Sequence, residues 1–270
     1  MPIFIEIYFT LQYCSVESSH NSKKSLERKN KKNIIMKSIL KYFKNLVIID
    51  YFDAILKILF SKKQSRKYYS QFGEDAVLRE IIGKKHQKGT YLDIGCYHPR
   101  KHSNTYFLYK MGWSGMLVDV EKAKLIACKI IRPRDETLLC AVSNDKGVAP
   151  IFAPKKYSVL TSLIKINDEF KQIGTIEQKT ISEIIENNLS GNCPTVLSID
   201  IELKDYDAIK SINFKRHSPK FILIECSDDD FNIDQVLQTK IHLLLIKNKY
   251  NLISWTLNTG IYKINNSNSF

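Results

Sequence analysis

The chain has 270 residues, 44% hydrophobic and 26% charged, enough for one sizeable domain with its own core plus an appendage. Its net charge of +13 is lopsided: residues 1–67 hold 14 Lys or Arg against 5 Asp or Glu, the other 203 residues 27 against 23. A nucleic-acid enzyme needs basic surface beside its site, which this distribution disfavours, and no apolar run reaches the roughly 18–20 residues of a membrane span.

The opening "MPIFIEIYFTLQYCSV" has the apolarity of a signal peptide but lacks a positive start and carries Glu6, so that reading is rejected. The stretch "SSHNSKKSLERKNKKN" makes residues 1–35 an expected disordered basic leader. A start at Met36 would make them a gene-model extension. In residues 36–67 apolar side chains (Ile39, Leu40, Phe43, Leu46, Ile55, Leu59) recur at helical spacing among lysines. That segment is a basic amphipathic helix, either packed on the domain or in peripheral contact with an anionic membrane. The six cysteines form no Cys-x-x-Cys pair and sit mainly in apolar runs, which points to reduced, buried thiols. The expected location is the cytoplasm, at the inner membrane face if the helical segment binds lipid.

From residue 68 to 270 the pattern alternates. Strands are expected near 90–94, 115–119, 137–142, 195–200, 220–225, 251–256 and 260–264, and helices over 73–83, 103–111, 178–189, 205–212 and 233–248. This is an α/β domain with a mainly parallel, doubly wound sheet. Runs such as "TVLSID" and "KFILIEC" suit strands buried on both faces, and Asn258-Thr259-Gly260 between the last two runs signals a closing antiparallel hairpin.

Acids recur where these strands end: Asp93, Asp119, Asp200 with Glu202, and Glu225. Ligands of open α/β sheets sit beyond the carboxyl ends of strands, and carboxylates beside apolar runs need partners that a ligand could supply. Asp93-Ile94-Gly95 lets the backbone approach a ligand, but a single glycine is no Gly-x-Gly-x-x-Gly fingerprint, so a dinucleotide is disfavoured. Asp119 lies 26 residues on, where an acid accepts ribose hydroxyls. His98 and His102 stand four apart, but Pro99 interrupts any helix and no acidic third ligand is near, so no metal is expected. Ser103 and Asn104 are N-cap candidates whose loop could touch a ligand hydroxyl. Asp200 and Glu202 are spaced to serve as base and orienter. The polar entry "SQFGEDAVL" holds Gln71 and Glu74.

These blocks in this order, "SQFGEDAVL", "YLDIGCYHPRKHSNTYFLYKMGWSGMLVDVE", "CAVSND", "LSIDIELKDYDAI" and "FILIEC", resemble the FkbM-like methyltransferases, a branch of the S-adenosylmethionine-dependent enzymes with a Rossmann-like class I fold. The resemblance implies S-adenosylmethionine as cofactor, with Asp93 and Gly95 at its methionine end and Asp119 on the ribose. Ser143 with Asn144 or Asp145 would border the adenine, and Gln71 and Glu74 would close the pocket. It further implies methyl transfer to a hydroxyl of a sugar, surface glycan or secondary-metabolite precursor, with Asp200 or Glu202 as base and His98 and Asn104 near the acceptor. Leu203 departs from the Val-Glu-Gly the family usually carries, which leaves open an inactive, ligand-binding scaffold and an altered turn. The acceptor pocket is expected from loops 98–104 and 145–175.

Overall fold

A computed structural model describes residues 23–44, 47–60, 67–83, 88–155, 158, 160–226 and 232–265. The chain divides into two units, Met1–Ser65 and Arg66–Phe270. The first contains α1 (Lys23–Lys44) and α2 (Val47–Phe60). Residues 23–35, expected to be disordered, are therefore helical: Lys, Arg, Glu and Leu are strong helix formers, and a solvated helix shares the polar composition of a disordered tract. The rest of the leader, residues 1–22, lies outside the described residues. None of the described helices is long and apolar enough to cross a membrane.

The second unit runs α3 (Glu74–Ile82), β1 (Thr90–Ile94), α4 (Tyr106–Lys110), β2 (Ser114–Asp119), α5 (Lys122–Ile131), β3 (Glu136–Leu139), β4 (Ala141–Val142), β5 (Gly147–Ala153) and β6 (Lys171–Lys179). It continues through α6 (Ile181–Asn188), β7 (Val196–Ile199), α7 (Asp205–Lys210), β8 (Phe221–Glu225), α8 (Ile233–Val236), α9 (Lys240–Lys247), β9 (Tyr250–Thr256) and β10 (Thr259–Ile264). Seven strands form the main sheet in the order β3-β2-β1-β7-β8-β10-β9. The first five are parallel, and β10 pairs antiparallel with both β8 and β9. The chain builds outward from β1 in one direction, then crosses to β7 and builds in the other, so the switch in strand order falls between β1 and β7.

Alternation along the strands sends side chains to both faces. Leu92, Ile94, Met116, Val118, Leu197 and Ile199 face one layer, where α6, α7 and α9 contribute Ile184, Ile185, Ile209 and Leu245. Tyr91, Leu117, Val196 and Phe221 face the other, against Leu78 of α3, Phe107 and Leu108 of α4 and Cys128 of α5. Burial of each such side chain contributes roughly 1.5–3 kcal/mol. Helices on both faces make the doubly wound architecture that the sequence pattern predicts.

The departures have local causes. The expected strand 137–142 is split: β3 stays in the main sheet, while β4 leaves it to pair with β6 in a three-stranded sheet β4-β6-β5. That second sheet went unread because "KQIGTIEQK" has no apolar alternation. Helix α5 was missed because apolar residues ring it. The expected helix 178–189 begins only at Ile181, where Thr180 and Glu183 form a capping box. The expected helix 233–248 breaks before Thr239, whose hydroxyl accepts from the His242 amide and starts α9.

A polar knot lies under the first three strands. Arg132, fully buried, donates through Nε to Asp135 at 2.6 Å, and its terminal nitrogens donate to Ser103 Oγ at 3.3 Å and Thr105 Oγ1 at 2.9 Å. The Asp135 carboxylate also accepts from the Tyr91 hydroxyl at 2.6 Å and from the Gly115 amide at 3.0 Å. Removing one partner of a buried ion pair leaves the other charge stranded. Arg132→Met should accordingly lower stability by about 3–5 kcal/mol, measured as a shift of the urea unfolding midpoint at unchanged slope.

Candidate active site

A cavity of about 460 Å³ opens at the carboxyl ends of β2, β1, β7 and β8, within the usual range for ligand pockets. Its floor is the turn after β1. Gly95 has φ +84°, and a Cβ there would lie 1.8 Å from the carbonyl oxygen of Asp200. Only glycine lets the ends of β1 and β7 come this close. The Gly95 and Cys96 amides both donate to Val118 O, at 2.9 and 3.2 Å, binding the turn to β2.

On the β2 side, Asp119 lines the cavity. Its Oδ1 accepts from the Glu121 amide at 2.9 Å and its Oδ2 from the Tyr97 amide at 3.1 Å. Burial raises its pKa above the ordinary carboxylate range, opposed by the nearby Lys124 ammonium and these two bonds. Lys124 is buried, 3.0 Å from Glu121 and 3.7 Å from Asp119. Thr161 completes the group, donating to Glu121 Oε1 at 2.6 Å and accepting from Lys124 Nζ at 3.2 Å. Ser162 Oγ donates to the carbonyl of Glu202 at 3.2 Å. The segment 160–170, leading into β6, is thereby tied to both sides of the site, and Leu160, Ile166 and Phe170 give the cavity an apolar wall.

On the other side, Asp200, Glu202 and Glu225 line the cavity with Asn258. Register alignment of Ile199 with Ile224 puts Asp200 and Glu225 side by side at the ends of β7 and β8. Asp200 opens onto the cavity although protein charge crowds it, and Glu225 is half-buried. Asn258 Nδ2 donates to Glu225 Oε1 at 3.4 Å. Burial pushes the carboxyls of both Asp200 and Glu225 up; a hydrogen bond between them tempers the rise in Asp200, and repulsion by Asp200 adds to the rise in Glu225. Two acids so placed resist ionising together.

Of the residues singled out in the sequence, Gln71, Gly95, His102, Asp119, Asp200, Glu202 and Glu225 meet at this cavity, whereas Glu74, Asp93, His98, Asn104, Ser143 and Asn144 do not line it. Asp93 sits behind it, buried, accepting from the Thr105 hydroxyl and facing the Arg132 charge, so it supports the floor rather than offering a ligand contact. Glu74 folds back to accept from the Phe72 amide at 2.9 Å, and acts on the cavity only through its charge on Asp200 and His102. Ser143 and Asn144 are drawn away because the Ser143 amide donates to Lys179 O, extending the β4–β6 pairing. Cys140, Ala141 and Val142 line the cavity in their place. His98 Nδ1 accepts from the Arg100 and Lys101 amides at 3.1 and 2.9 Å and shapes its own turn. Asn104 donates to Ser198 Oγ at 3.3 Å.

Several lining residues were missed. His102 was considered only as a metal ligand; it lines the cavity with Nδ1 unpaired, and burial followed by the Lys101 charge lowers its pKa. Tyr97, Lys124 and Thr161 carried no motif, and Asn258 was read only as part of a hairpin turn; once 122–131 is seen as a helix, Lys124 three residues after Glu121 is the readable signal. Among the described residues, no group of three His, Cys, Asp or Glu side chains is arranged for a metal ion.

Four lining residues other than glycine hold positive φ: Tyr97 (39°), His102 (55°), Glu202 (55°) and Leu203 (68°). Leu203 thus keeps the left-handed conformation that the sequence reading expected leucine to disturb. Side-chain crowding of this kind costs roughly 1–2 kcal/mol. Leu203→Gly should relieve most of it, raising stability by about 1 kcal/mol after the entropy of glycine is counted, seen as a higher thermal midpoint.

The profile of the methyltransferase FkbM domain matches residues 93–252. No curated protein matches the chain. A solved structure, the TehB-like SAM-dependent methyltransferase of Corynebacterium glutamicum, is similar at 10% identity over 80% of this chain and 96% of its own, with a TM-score of 0.37; a likeness this distant bears no weight on function.

Proposed function

The chain belongs to the FkbM methyltransferase family, and from that premise we propose that it is an S-adenosylmethionine-dependent O-methyltransferase acting on a hydroxyl of a sugar, surface glycan or secondary-metabolite precursor. One observation carries the reading. A single cavity has an acid, Asp119, at the end of β2 and two adjacent carboxyls, Asp200 and Glu225, at the ends of β7 and β8. Those outer strands stand three places apart, about 14 Å at normal strand spacing, which suits an elongated nucleoside with an amino-acid tail. The donor set fits that cofactor: a buried carboxylate for vicinal hydroxyls, a glycine floor and an acidic region that favours a cation.

S-adenosylmethionine, when bound, supplies an electrophilic sulfonium methyl. Asp119 would hold the ribose hydroxyls and Gly95 the tail. The apolar wall of Leu160, Ile166 and Phe170 would exclude water. Asp200, ionised beside a protonated Glu225, would take the acceptor hydroxyl's proton as the new bond forms. Glu202, the other candidate base of the sequence reading, has its carbonyl fixed by Ser162 and would orient the acceptor. Asp200, Glu202, Glu225 and Asn258 offer many acceptors to a polyhydroxylated molecule and repel an anionic one.

Calorimetry tests the cofactor half. Asp119→Ala should weaken S-adenosylhomocysteine binding about 10- to 100-fold, the value of hydrogen bonds to a charged group; unchanged affinity would remove the ribose assignment. Kinetics on a panel of glycan acceptors tests the rest. Asp200→Asn should lower turnover about 10²- to 10⁴-fold, whereas Glu225→Gln, which mimics the protonated acid, should cost less than about tenfold. Equal damage from the two would reverse their roles.

The pH dependence has a definite sign. Activity should rise with pH along a limb above the ordinary carboxylate range, because Asp200 must ionise there. The contribution of the pair to stability runs the other way: with folded values raised, it is full below the ordinary carboxylate range and lost as pH climbs through the raised values.

A further inference from the structure

The N-terminal helices differ sharply in chemistry. α1 carries nine Lys or Arg against a single Glu over 22 residues, a net of +8. Two residues later α2, "VIIDYFDAILKILF", has only three charged side chains. Asp50, Asp53 and Lys57 fall on one stripe of the helix, where Asp53 and Lys57 pair at 3.1 Å. The rest of α2 is apolar in sequence, and Tyr51, Phe52, Ile55, Leu59 and Phe60 each expose half or more of their surface, Phe60 79%.

So much contiguous exposed apolar area marks an interaction surface, and the neighbouring charge identifies its occupant. A nucleic acid would use the lysines of α1 and leave α2 in water. A hydrophobic groove in another protein would account for α2 and leave the charge of α1 without purpose. An anionic bilayer takes both: headgroup phosphates meet the lysines, and the acyl boundary takes the apolar side chains. At about 1.5 Å per residue α2 is about 21 Å long, short of the roughly 30 Å hydrocarbon core, so it would lie in the interface and not across it.

We propose that α1 and α2 form a peripheral anchor that binds the chain to anionic lipid surfaces. This is independent of the methyl-transfer reading, and holds or fails whether or not the cavity is a cofactor site. The test is flotation of the full-length chain with vesicles of phosphatidylcholine alone or of three parts phosphatidylcholine to one of phosphatidylglycerol. Binding is expected to the mixed vesicles and to weaken strongly in high salt. Replacing Lys29, Lys31 and Lys32 together by Gln should lower the partition coefficient roughly a hundredfold, at the usual value per basic residue near such a surface. Ile55→Ser with Leu59→Ser should lower it at least tenfold through lost apolar burial. All five side chains are exposed, and unchanged melting of each variant would show that the fold is intact. The proposal is overturned if the chain ignores the anionic lipid, or if neither variant changes vesicle binding. Concentration-dependent self-association or RNA binding in place of vesicle binding overturns it as well.

Discussion

Arg132, at the end of α5, has no solvent-exposed surface, and around it lie Asp135, Asp93 and Tyr91, all buried. Desolvation works against its charge, but Tyr91, Asp93 and Asp135 together hold the guanidinium firmly protonated. Its face lies over the Tyr91 and Tyr109 rings at 5.3 and 5.6 Å. Asp135 draws in the Gly115 amide at the start of β2, while Ser103 and Thr105 bring in the loop before α4. One cation therefore sets where β1, β2, α4 and α5 stand relative to one another. The loop from Gly95 to Thr105 is pinned at its far end by Arg132 and at its near end by Val118, and it carries Tyr97 and His102 to the cavity.

That arrangement separates the strand-end acids into different tasks. Asp93, satisfied by Thr105 and balanced by Arg132, is a structural member. Asp119 keeps lone pairs toward the cavity after accepting two backbone amides. Asp200 and Glu225 stand side by side with both carboxyls raised by burial, and the charge of Asp200 adds to the rise in Glu225. Side chains of one chemical type thus come to differ in charge and contacts through burial and company alone.

The parallel order was readable because "TVLSID" and "KFILIEC" are apolar without alternation, as strands covered on both sides must be. The acids at their ends were readable for the same reason: a carboxylate closing such a run has few other places to lie. What sequence could not supply was the partner of each acid. Thr105 and Arg132 stand 12 and 39 residues from Asp93, and only folding shows that they close around it and turn it inward. The family resemblance put Ser143 beside the adenine, but its backbone belongs to the β4–β6 pairing. The wall from Leu160 to Phe170 was expected only as part of the long loop 145–175, and its place could not be read because it depends on Thr161 meeting Glu121 and Lys124, 40 and 37 residues away.

The contact between Gly95 and the carbonyl of Asp200 gears the two halves of the molecule together. With no atom of clearance, the end of β1 serves as a gauge for the height of the residue after β7. Any side chain at position 95 would push aside the backbone that bears the Asp200 carboxyl, so the spacing of β1 and β7 and the seat of that acid are set by one and the same residue.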